Sequence, residues 1–159
     1  MNQQSVVTQH YTPVNSTNYK QHLHPLNVSL YEMADRVYKI MGPGHTEFIY
    51  HRAMEIELRD RGVNYDTERR VLITYQDNSG FRHNLGEERI DLFLVKEQTI
   101  VELKAIINPP KECELAQVHK YHRELIKLGE KPKFGIIINF PQPGVKAANT
   151  EIDFYEIIF

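Results

Sequence analysis

The chain has 159 residues, with 19 Lys and Arg against 21 Asp and Glu, a formal net charge of -2 at pH 7 and 41% hydrophobic residues. That length fits one domain with one core, so no second catalytic domain is expected, and the near-balanced charge excludes the basic excess behind strong non-specific nucleic-acid binding. A lone cysteine, Cys113, excludes an internal disulfide and a cysteine-based zinc cluster.

Residues 1–27 are polar, rich in Gln, Asn, Thr and His, and without periodicity, so they read as a flexible N-terminal arm ahead of a single domain over 28–159. No run reaches the roughly 18–20 apolar residues of a membrane span, and no basic segment precedes an apolar run near Met1; cytoplasmic residence without a membrane partner is the expectation. From Val28 to Met41, Leu30, Met33, Ala34, Val37, Tyr38 and Met41 recur at threes and fours, which predicts an amphipathic helix. Gly42-Pro43-Gly44 breaks it. A second helix is predicted from about His45 to Arg61, with Gly62 just past its end.

Three β-prone segments follow: Val71 to Gln76, Phe81 or somewhat later to Val95, and Thr99 to Ile106, with Asp77-Asn78-Ser79-Gly80 as a turn. A helix from Glu112 to Leu128 stops at Gly129. Phe134 to Phe140 is a continuous apolar strand of the buried kind, and Ile152 to Phe159 is a last strand. A strand reached through a crossover helix lies parallel to the one before it, so the core order αβββαβ predicts an α/β (α+β) domain with a mixed sheet flanked by helices.

Within this pattern two acids are out of place. Glu102 and Lys104 share one face of an apolar strand, and Asp91 sits in the equally apolar strand before it. The connecting turn decides whether they meet. A two-residue turn at Glu97-Gln98 sets Asp91 opposite Lys104, one at Lys96-Glu97 sets it opposite Glu102, and a regular three-residue turn separates them unless a bulge intervenes. If they converge, Asp91, Glu102 and the adjacent backbone carbonyl of Leu103 make a hard-oxygen site suited to Mg²⁺, with Mn²⁺ the alternative. A cation there polarises a phosphate, while Lys104 favours the deprotonated form of the attacking water and neutralises charge developing on phosphorus.

Gly44-His45-Thr46-Glu47-Phe48-Ile49-Tyr50, at the start of a helix, resembles the Gly-x-x-Glu-x-x-Tyr signature of the GxxExxY family of PD-(D/E)XK nucleases. Arg89-Ile90-Asp91 with Glu102-Leu103-Lys104 is similar to that family's catalytic hairpin. Ala116-Gln117 with Tyr121 is similar to its following helix, and Ile138-Asn139-Phe140 to its next strand, so that the resemblance covers roughly residues 30–146. It implies a restriction-endonuclease-like fold and metal-dependent hydrolysis of DNA phosphodiesters, with RNA cleavage as the lesser alternative. Glu47 is then a further metal ligand or the holder of a metal-bound water, and Gln117 and Tyr121 face the site as substrate contacts. Tyr50 shares the helical face of Glu47 and orients that carboxylate, fills the core or joins them in contacting substrate.

A catalytically inactive module on the same fold, binding nucleic acid or assembling proteins, is the competing expectation, motivated by the acidic net charge. Oligomeric state stays open, a homodimer included. A nuclease requires several of Arg52, Arg69, Arg70, Arg82, Lys111, Lys120 and Arg123 near the face of Glu102. His119 and His122, three apart with no third ligand nearby, read as a solvated helix face rather than a zinc site.

Overall fold

The computed structural model describes residues 14–144 and 151–159. Its elements are α1 (Tyr19–His22), α2 (Pro25–Met41), α3 (Glu47–Asp60), β1 (Tyr65–Gln76), β2 (Arg82–Leu94), β3 (Thr99–Lys104), α4 (Glu112–Lys127), β4 (Phe134–Asn139) and β5 (Asp153–Ile158). The sheet runs in the order β1-β2-β3-β4-β5, parallel between β3 and β4 and antiparallel elsewhere, as the α4 crossover dictates. One face packs Leu92, Leu94, Val101, Leu103, Ile136 and Ile138 against α2 and α3. The other packs Phe93, Ile100 and Ile137 against Val118, Tyr121 and Leu125 of α4. The mixed sheet flanked by helices is the α+β architecture expected from the sequence.

Two boundaries move. β1 begins at Tyr65 rather than Val71, because the run Asp66-Thr67-Glu68-Arg69-Arg70 carries no apolar alternation and its strand character comes entirely from pairing with β2. Residues 14–24 are not part of a loose arm. Val14 is buried and bridges to Phe154, Leu23 is buried, and Tyr19 stacks on Tyr31 with ring centroids 4.4 Å apart. These anchors are spaced too widely to show as a period. α2 then starts at Pro25, where the fixed φ of proline suits the first helical turn and the His24 side chain accepts the Leu26 N–H at 3.2 Å. Residues 1–13 of the expected arm lie outside the described residues.

β4 is buried along its whole length, and α4 lies directly on it. A Cβ on Gly135 would stand 2.5 Å from Val118 Cγ1 and 3.1 Å from the Phe159 ring, so glycine is required here by proximity rather than by backbone conformation. Gly135→Ala is expected to destabilise the protein by about 1–3 kcal/mol, read as a lower thermal midpoint. An unchanged midpoint would mean that α4 can retreat without loss. Phe159 also corrects the reading of the two histidines: it stacks on His122 at 3.8 Å and meets His119 edge-on at 5.8 Å, so both imidazoles are half-buried, and burial lowers their pKa.

Midway along the β1–β2 hairpin the two faces exchange. Tyr65 and its partner Leu94, like Leu92 opposite Thr67, belong to the core under α2 and α3, whereas Ile90 opposite Arg69, and Val71, belong to the core under α4. Regular pleating would keep Tyr65, Thr67, Arg69 and Val71 on one face. Between these pairs sit Glu68, at φ 50°, and Asp91, neither of which has a partner in the β1–β2 register. The left-handed residue rotates the ribbon, and the two acids come out at the seam between the cores.

Candidate active site

Residues 95–98 form the turn between β2 and β3, and the pairs Leu94↔Thr99, Phe93↔Ile100 and Leu92↔Val101 continue to place Asp91 opposite Glu102. This is the register that a turn centred on Lys96-Glu97 gives. The ladder stops at Leu92↔Val101, and there the Asp91 carboxylate takes over, with Oδ2 accepting the Leu103 N–H at 2.7 Å. Leu103 itself points its side chain into the core, so the backbone alone is available at the site.

Glu102 is 3% exposed. Its Oε1 lies 3.5 Å from Lys104 Nζ, while Oε2 is buried without any hydrogen-bond partner. Burial first, and the negative charge of Asp91 second, push its carboxyl pKa up to about 8 against the pull of Lys104. Asp91 is raised as well, chiefly by burial and against the Leu103 hydrogen bond. A buried carboxylate oxygen with no donor lacks a proton or a cation, and oxygen donors from Asp91 and Glu102 fit a hard divalent ion.

Lys104 Nζ also reaches Gln117 Oε1 at 3.4 Å, and Gln117 Nε2 donates to the Tyr121 hydroxyl at 2.9 Å. Tyr121 in turn donates to the Arg89 carbonyl at 3.0 Å and is 2% exposed. The chain Arg89–Tyr121–Gln117–Lys104 therefore holds the ammonium from α4, with the Tyr121 hydroxyl bonded within the fold rather than at the surface. Tyr50, fully buried, is likewise remote from solvent. It stacks on Phe140 at 4.5 Å, donates to the Gly42 carbonyl at 2.7 Å and accepts from Gln142 Nε2 at 3.2 Å. It thereby pins the Gly42-Pro43-Gly44 turn and the start of α3, on which Glu47 stands. Gly42, at φ 68°, makes that turn possible.

Glu47 occupies the first turn of α3. Its carboxyl is raised by partial burial, then by the charge of Asp91, and is lowered by Lys104 and His51, so it shares one electrostatic field with the hairpin acids. The hairpin brings Asp91, Glu102 and Lys104 together, and Glu47, exposed on the first turn of α3, lies near enough to feel the charges of Asp91 and Lys104. The structure adds two residues that the sequence did not reveal: one ligand atom each from His51, Glu68 and Asp91 lie within 4.8 Å of one another. His51 had a signal, since it follows Glu47 by one helical turn. Glu68 had none, because a left-handed acid in a strand is invisible in composition.

Beside Lys104 opens a cleft of about 500 Å³, lined by Ala105, Ile106, Ile107, Pro109, Glu114 and Gln142 among others. Its floor is braced by Asn139, whose amide bonds the Ile106 N–H and carbonyl and the Asp153 carboxylate. Among the basic residues expected near the site, Lys111 lines this cleft, while four others are held in ion pairs. Arg69 pairs with Glu130, Arg70 with Glu87, Lys120 with Glu88 and Arg52 with Glu55.

The sequence profile of the PD-(D/E)XK nuclease superfamily matches residues 25–151, from the start of α2 almost to β5. The chain belongs to this superfamily. The matched PD-(D/E)XK region contains all four residues of the centre, and membership carries nuclease-type hydrolysis of nucleic acid and a general use of divalent metals. No curated protein and no solved structure matches the chain. Among the described residues no helix is long and apolar enough to cross a membrane.

Proposed function

We propose that this PD-(D/E)XK protein is a Mg²⁺- or Mn²⁺-dependent nuclease that hydrolyses DNA phosphodiester bonds, and that Gly44, Glu47 and Tyr50 mark it as a GxxExxY member. The carrying observation is the orphaned Oε2 of buried Glu102, set against Asp91 and one ammonium. Asp91, Glu102 and the Leu103 carbonyl would hold the cation, with Glu47 as a further ligand. When bound, it supplies Lewis-acid polarisation of the scissile phosphate.

The protein's own groups do the rest. Lys104, held by Gln117 and Glu102, stands beside the attacking water and offsets negative charge that grows on the phosphate oxygens. Gln117 reaches the phosphate or base, and Tyr121 and Tyr50 set the positions of Gln117 and Glu47. The cleft past Lys104 receives the nucleotide flanking the cut. Ion pairs at Arg52, Arg69, Arg70 and Lys120 leave affinity to this local centre, with Lys111 at the cleft, rather than to a basic groove.

The experiment is incubation of the full chain with single-stranded, duplex and branched DNA, and with RNA, in Mg²⁺ or Mn²⁺. Cutting is expected to stop with chelator and with Asp91→Asn. Cutting that survives both, or a wild type that cuts nothing while binding DNA, would put the catalytically inactive module in its place.

A further inference from the structure

Two features beside the proposed centre bear on how a nucleic-acid strand is presented to it. Phe48 follows Glu47 in the first turn of α3 and is 67% exposed, with the Arg52 guanidinium 6.0 Å from its ring. The cleft past Lys104 has apolar walls from Ala105, Ile106, Ile107 and Pro109, and Lys111 stands among them.

The helix sets where the two lie. At about 3.6 residues per turn, Phe48 and Tyr50 fall on opposite flanks of Glu47. The Tyr50 hydroxyl bonds Gln142, a wall residue of the cleft, and Gln142 Oε1 also accepts the Gly44 N–H at 2.9 Å. The cleft therefore lies on the Tyr50 flank and the Phe48 ring on the other, with Glu47 and Lys104 between them. A strand whose phosphate sits at the centre passes the ring with one neighbouring nucleotide and the cleft with the other.

Charge decides between one strand and two. Duplex binding without sequence preference draws on many phosphate contacts. Here the chain has a net charge of -2, Arg52, Arg69, Arg70 and Lys120 are held in ion pairs, and the centre is itself acidic. Stacking on an aromatic ring does not depend on charge, and it needs a base whose face is free. A cleft of about 500 Å³ likewise receives a base only when that base is out of the duplex stack. We infer that the substrate is single-stranded DNA, with one base stacked on Phe48, the nucleotide across the scissile phosphate seated in the cleft, and the Lys111 ammonium on its phosphate. The placing of the phosphate rests on the proposed nuclease reading, whereas the preference for one strand is read from binding.

The test uses the full chain in Ca²⁺, a hard cation for oxygen sites, with a fluorescent oligonucleotide alone or annealed to its complement, and affinity is read by anisotropy. Wild type is expected to bind the single strand at least about tenfold more tightly than the duplex. Phe48→Ala should lose about tenfold on the single strand and nothing on the duplex, and Phe48→Tyr should keep wild-type affinity. An abasic strand of the same length keeps the phosphates and removes what stacks, so wild type and Phe48→Ala should bind it alike. Lys111→Gln should lower the salt dependence of single-strand binding by about one phosphate contact, a change of about 0.7 in the logarithmic slope. Because Phe48 is largely in solvent, an unchanged thermal midpoint of Phe48→Ala separates a lost contact from a lost fold.

The inference is overturned if the duplex binds as tightly as the single strand, if Phe48→Ala binds the intact strand as wild type does, or if it weakens intact and abasic strands alike. A single-strand preference that depends on Phe48, without cutting in Mg²⁺ or Mn²⁺, would leave this surface standing and remove the nuclease reading. Cutting of duplex at equal rates by wild type and Phe48→Ala would do the reverse.

Discussion

Lys104→Ala is expected to slow DNA cleavage by about 10²–10³-fold while the protein remains folded and still binds divalent cation. The ammonium has no structural substitute. Its neighbours, Glu102 at 3.5 Å and Gln117 at 3.4 Å, hold it without neutralising it completely, because Glu102 is itself pushed toward its protonated form. Alanine removes the Lys104 ammonium and leaves the acids of the centre in place, so the loss should fall on kcat and not on Mn²⁺ affinity. Lys104→Arg should recover only part of the rate, since a planar guanidinium cannot occupy the space of an ammonium wedged between a carboxylate and an amide. Equal cutting by wild type and Lys104→Ala would end the nuclease reading.

Glu102→Gln is expected to raise the stability of the metal-free protein at pH 8 and to leave it unchanged near pH 4. In the folded chain the Glu102 carboxyl holds its proton up to about pH 8, against an ordinary value of 4.5. The folded state therefore binds more protons than the unfolded state between those limits, and stability falls as pH rises through that window. The loss should be on the order of several kcal/mol in wild type, since each pKa unit corresponds to about 1.4 kcal/mol, and should be largely absent in the glutamine variant. Thermal midpoints of chelator-treated protein across pH 4 to 9 give the comparison. Added Mn²⁺ should reverse the loss in wild type by taking the place of the proton. Parallel pH profiles for the two proteins would show that Glu102 is not strained by its burial.

Much of this centre was legible in the sequence because burial makes charge conspicuous. Asp91, Glu102 and Lys104 stand among Ile90, Leu92, Ile100 and Val101, and strand periodicity then restricts them to one face or to separation, depending on a turn that period alone cannot settle. The structure chose the Lys96-Glu97 register. Glu47 became legible only through its resemblance, as an acid in the first turn of a helix is unremarkable by itself. Tyr50 fills the core, one of the roles its spacing left open, whereas Tyr121 was expected to face substrate and is buried, because nothing in a tyrosine's spacing says whether its hydroxyl meets solvent or a backbone carbonyl. The first half of β1 and the contribution of Glu68 could not be read at all, since both follow from long-range pairing and one residue's backbone hand.

The exchange of faces at Glu68 and Asp91 ties chemistry to assembly. Glu47 arrives with one packed layer, Gln117 and Tyr121 with the other, and the rotated hairpin carries residues of both. On the proposed reading, a chain in which either layer is loose should hold these groups apart and should not cut, which would tie the proposed activity to the packing of both layers.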